Sequence, residues 1–125
     1  MAFKFESLLV WQKALDLADE IHCLTKAQFP KEELFILTSQ IKRAADSVVL
    51  NIAEGCTGQT NAVYRNFLSY SLRSGIEVVA CLFLARRRKF IDEENFKRLC
   101  NEYEILTKMI TSLRKTINSE PKKPI

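Results

Sequence analysis

The chain has 125 residues, 47% of them hydrophobic and 27% charged, a balance that excludes intrinsic disorder and suits one domain with a sizeable core. Its net charge of +4 is too small for a polycation and is unevenly placed. The first 60 residues hold eight acidic against six basic side chains, so the cationic surplus lies in the remainder, an asymmetry that hints at an anionic partner. Residues 1–7 lack the basic start and apolar core of a secretory leader, which places the protein in the cytosol as an expectation. Ser7 is a plausible N-cap, after which Val10, Ala14, Leu17, Ile21 and Leu24 recur at alternating steps of four and three. This seam predicts a first helix over about residues 8–27. It stops at Phe29-Pro30, because proline disfavours helical geometry in the preceding residue and has no N–H to donate.

Residues 31–35 predict a short helical turn leading into a second helix, whose centre is QIKRAADSVVLNIAEG at 40–55. At about 100° per residue, Leu37, Ile41, Ala44, Ala45, Val48 and Ile52 share one apolar arc. Gln40, Arg43, Ser47, Asn51 and Glu54 form a polar line beside it, and the far side offers Val49, Leu50 and Ala53. A helix apolar on most sides is buried on most sides, so this one is expected to touch another chain as well as its own bundle. The polar line reads equally as a solvated edge or a buried network.

Gly55 and Gly58 punctuate the chain, Gly55 being a candidate for the left-handed position that closes a helix. Thr60 can cap a third helix reaching about Lys89, on the order of 40 Å long, with Tyr64, Phe67, Leu68, Ser71, Gly75, Val78, Val79, Leu82 and Phe83 on its buried side. Residues 76–85 are apolar nearly all round, which repeats the subunit-contact signal; the run is too short for the roughly 18 residues of a membrane span. Asp92 is an N-cap backed by Glu93 and Glu94, and Phe96, Leu99, Tyr103, Leu106, Ile110, Leu113 and Ile117 form the cleanest heptad. Residues 119–125, with two prolines, are expected to be a flexible tail on a bundle spanning 1–118. The expected fold is all-α, an antiparallel up-down four-helix bundle with short loops.

Chemistry is sparse. Cys23, Cys56, Cys81 and Cys100 show no close-pair spacing and are read as reduced, mostly buried thiols. His22 is the sole histidine and is read as structural or solvent-facing, which removes paired Glu-x-x-His metal sites and most nucleophile–base layouts. No enzyme, metal or cofactor is expected. Two constellations stand out. Gln40, Arg43, Ser47, Asn51 and Glu54, with Ser74 and Glu77 on the third helix, would form a hydrogen-bonded network at a helix or subunit junction; Glu77 lies in an apolar run and must pair or face water. Arg86, Arg87, Arg88 and Lys89, with Lys97 and Arg98, meet at one end of a helical hairpin, where they neutralise a helix terminus or bind phosphate.

Phe5, Leu9, the VWQKA run at 10–14, Phe29-Pro30, Glu33, residues 37–40, Arg43-Ala44, Ser47 and above all the NIAEG run at 51–55, followed by Phe67-Leu68, Ser74 and Glu77, carry a resemblance over nearly the whole chain. It resembles the four-helix-bundle family named after proteins encoded in intervening sequences of 23S ribosomal RNA genes. That resemblance implies a ring-like homo-oligomer, pentamers being favoured, without established enzymatic activity. More distantly the chain is similar to the accessory protein of diversity-generating retroelements, which works with a reverse transcriptase and RNA. Two departures count. Gly58 and Gln59 stand where the family often has a basic pair, which weakens RNA binding at that loop, and Arg73 stands where a glycine often permits close helix contact. The resulting expectation is a non-catalytic homo-oligomer that associates with structured RNA or a ribonucleoprotein through its basic end. The alternative is a protein-binding scaffold without nucleic acid, and a weaker third reading uses Glu54 or Glu77 catalytically.

Overall fold

The computed structural model describes residues 3–57 and 60–117. Its helices are α1 (Leu9–Gln28), α2 (Leu37–Gly55), α3 (Asn61–Arg87) and α4 (Glu93–Thr116), with single 3₁₀ turns at Lys4–Ser7 and Lys31–Glu33. Each helix packs against its chain neighbour and α1 also against α4, which closes an up-down four-helix bundle; α2 and α3 share the longest contact. The tail expected at 119–125 and the Gly58-Gln59 departure lie outside the described residues.

The predicted seams form the core. Ile21, Ile41, Val48, Ile52, Leu68, Leu82, Leu99, Leu106 and Ile110 are wholly buried, each contributing about 1.5–3 kcal/mol of transfer free energy. Phe83 is the exception on α3. It is half-exposed and stands edge-on to Phe96 at 5.0 Å, because Leu82, one step round the helix, takes the inward position. Tyr103 reaches the centre of the bundle with its hydroxyl unpartnered among the described residues, and burial pushes its phenol well above the ordinary range.

Helix ends follow local chemistry. Thr60 accepts from the Val63 N–H and Asp92 from the Asn95 N–H, as expected of N-caps. Ser7 does not cap α1: its hydroxyl donates to the Lys4 carbonyl within the 3₁₀ turn, and the helix starts after Leu8. Gly55 does not take the left-handed conformation either. It is the last residue of α2, and a Cβ there would lie 2.9 Å from Tyr64 Cδ1 and 3.1 Å from Phe67 Cβ, so glycine is required for the close approach of α3. Among the described non-glycine residues the left-handed one is Lys89, with φ 62°. The Phe90 N–H reaches the Ala85 carbonyl and the Lys89 N–H the Arg86 carbonyl, the paired bonds of a Schellman ending. Arg73 is exposed near the Tyr70 ring, and the close α3–α4 contact falls instead at Gly75, opposite Thr107.

Candidate functional sites: a polar seam and a basic end

Steps of three and four on α2 bring Gln40, Ser47 and Asn51 to the edge that faces α3. Gln40 Nε2 donates to Glu77 Oε2 at 2.8 Å, so the carboxylate inside the apolar run is paired as well as exposed. Ser74 Oγ donates to Ser47 Oγ at 2.9 Å, and Asn51 Nδ2 donates to both the Ser47 carbonyl and its hydroxyl. Behind this row, buried Ser71 donates to the Val48 carbonyl at 2.9 Å. The structure therefore gathers Gln40, Ser47, Asn51, Ser74 and Glu77 into a seam that ties α2 to α3 along their length. Arg43 and Glu54 sit beside it without a side-chain hydrogen bond or ion pair among the described residues, so the network is smaller than the sequence predicts. They line two shallow outer crevices of about 350 and 490 Å³, Arg43 both of them and Glu54 the second.

The α3–α4 turn does bring the six cations of the second constellation to one end, but it does not leave them equivalent. Arg86 places Nε and Nη2 on the two carboxylate oxygens of Glu93, at 3.0 and 2.7 Å, and its guanidinium lies 4.6 Å from the Phe96 ring centre. Arg98 donates to Glu20 on α1 at 2.6 Å and to Asn95 at 3.3 Å. Both are committed to holding helices together. Arg87, Arg88, Lys89 and Lys97 are exposed and have no ion partner among the described residues.

Sequence reasoning missed a second use of arginine at the opposite end. Arg65 donates to the carbonyls of Arg114 and Ile117, so the C-terminal end of α4 is satisfied from α3, and Arg114 donates back to the Ser69 hydroxyl on α3. It also missed a cavity between α1 and α2, whose lining recurs at helical spacing in His22, Lys26 and Phe29 and again in Thr38 and Lys42. All four cysteines are free; Cys56 and Cys81 are buried as expected, whereas Cys23 is exposed. His22 is half-buried, with Nε2 3.2 Å from Asp46 Oδ1. Among the described residues no three His, Cys, Asp or Glu side chains converge to hold a metal ion.

A family model described as 23S rRNA-intervening sequence protein matches residues 6–112. A crystal structure at 1.70 Å of a protein of unknown function, from the S23 ribosomal protein family of Bacteroides thetaiotaomicron VPI-5482, is similar with a TM-score of 0.80. The two are 29% identical over 86% of this chain and 100% of that one. A search of curated proteins returned no match.

Proposed function

The chain belongs to the 23S rRNA-intervening sequence protein family, and we propose that it is a non-catalytic, self-associating bundle that docks the phosphate backbone of structured RNA on its basic end. The observation that carries this reading is the set of four exposed cations, Arg87, Arg88, Lys89 and Lys97, with no carboxylate partner among the described residues. Cations that are not needed to hold the fold can exchange counterions for phosphate. Self-association, with a pentameric ring as the favoured form, multiplies the effect, because several weak basic ends presented together bind one RNA by avidity. Of the aromatic side chains at this end Phe29 and Phe96 are buried and Phe90 is half-buried, which leaves Phe83 as the exposed ring, so the recognition is of backbone and shape rather than base sequence.

The test is fluorescence anisotropy with a labelled RNA hairpin across a salt series. Affinity should fall linearly with salt on logarithmic axes, with a slope of about −0.7 to −0.9 for each phosphate neutralised. Replacing Arg87, Arg88, Lys89 and Lys97 by glutamine should abolish binding while melting temperature and assembly stay unchanged. Unaltered RNA affinity in that variant would sink the reading. The scaffold alternative would then stand, favoured by the exposed run Leu34, Phe35 and Ile36 in the α1–α2 connection, of which Phe35 is 89% exposed.

A further inference from the structure

The α1–α2 connection does not pack down onto the bundle. Pro30 ends α1, one 3₁₀ turn follows, and the chain reaches α2 through Ile36 at φ −121°, ψ −104°, leaving a cavity of about 540 Å³ between the two helices. That volume lies within the range of small-molecule sites. Its apolar surface comes from Phe29, Pro30 and Leu34, and its rim carries Lys26, Lys31 and Lys42. No carboxylate lines it; Glu32 and Glu33, on the same connection, are not among its walls. Thr38 is buried in the wall, and its hydroxyl has no side-chain hydrogen bond to protein among the described residues, whereas the Thr25 hydroxyl beside it is spent on the His22 carbonyl.

An apolar floor, a rim of three cations of one sign and one open hydroxyl specify a ligand by chemistry. We propose that this cavity binds a small amphipathic monocarboxylate, its apolar body against Phe29, Pro30 and Leu34 and its carboxylate among Lys26, Lys31 and Lys42. A neutral molecule of the same shape would leave the three ammonium groups without a counter-charge, and a bare anion would leave the floor wet. The cavity shares no lining residue with the four cations of the RNA reading and does not depend on it, although Phe29 packs 6.0 Å from Phe90, the neighbour of Lys89.

Cys23 supplies a local reporter, since it lines the cavity and is exposed. The other thiols react slowly by comparison: Cys56 and Cys81 are buried, burial with the Glu77 charge pushes Cys81 to about 11, and burial also raises Cys100. The experiment follows carbamidomethylation of Cys23 by mass spectrometry in the full-length protein, without nucleic acid. The probe is decanoate below its micelle concentration, with 1-decanol and acetate as controls. Decanoate should slow Cys23 labelling saturably, with decanol weaker and acetate inert. Lys26→Gln and Lys42→Gln should each weaken decanoate about two- to fivefold, the scale of a partly exposed ion pair. Equal protection by decanol, or decanoate protection untouched by both lysine variants, would overturn the proposal. So would protection that follows protein concentration alone with decanoate inert, which would assign the cavity to a second copy of the chain.

Discussion

Lys89 is the residue at which two demands on this chain meet. Its left-handed backbone, φ 62°, closes α3, a conformation that costs an L-residue roughly 1–2 kcal/mol relative to the ordinary right-handed one. Glycine is the usual occupant of that position. Lys89→Gly should therefore stabilise the fold by about 1 kcal/mol, raising the denaturation midpoint with an unchanged slope. The same change removes one of the four unpartnered cations and should weaken RNA binding while the protein grows more stable. A lower midpoint would mean that the lysine side chain makes a contact worth more than the strain. Gly55 shows why this position was hard to find from sequence. A glycine near a predicted helix end reads as a left-handed closure, yet here the space demanded by Tyr64 and Phe67 explains it, and the left-handed closure falls on a lysine. Propensity reports conformational freedom and cannot report which neighbour will crowd a Cβ.

At the level of the helices, the sequence was legible wherever one side chain decides the outcome locally. The α4 start is an instance: Asp92 accepts from the Asn95 N–H, the Gln28 amide and the Asn95 amide, and these bonds hold its carboxyl below the ordinary range. A carboxyl depressed in the folded state contributes stability above its unfolded pKa and loses it as pH falls through the folded one. Asp92→Asn keeps a good cap but cannot titrate. Melting temperatures from pH 5 down to pH 2.5 should fall less steeply in that variant than in the parent, and parallel curves would show that Asp92 takes no part in the acid limb. The long-range half of the same site was not legible, because nothing in the pattern of α1 announces that Gln28 will also accept from the Asp92 N–H, 64 positions away. Nor could spacing separate Arg86 and Arg98, which bridge helices, from Arg87 and Arg88 beside them. Only the packing of α4 against α1 and α3 decides which arginine finds a carboxylate.

For the molecule as a whole, the unresolved balance is between apolarity and burial in α3. An 18-residue window of this helix has a mean hydropathy of 1.4, yet only 33% of it is buried within the bundle. Length and composition alone would let α3 cross a bilayer, but it lies lengthwise against α2 and α4, and its outer face carries Arg73 and Glu77 among Ile76, Ala80, Phe83 and Leu84. Charged groups set within an apolar stripe fit a protein contact, where they can be paired, better than lipid. On α2 the exposed residues are Gln40, Arg43, Asp46 and Glu54 with Leu50 alone apolar, and Val49 on its far side is buried within the chain, so the apolar outer surface left after the bundle has closed belongs to α3. If this face joins copies of the chain, a charge placed on it should separate them without unfolding them, because Ile76 and Leu84 contribute little to the internal core. Ile76→Glu with Leu84→Glu should elute as a folded monomer by light scattering, with helical circular dichroism preserved, and should bind RNA far more weakly than the assembled parent although every cation remains. An oligomer that survives both substitutions would place the subunit contact elsewhere. A monomeric parent would remove avidity from the RNA reading and leave each basic end to act alone.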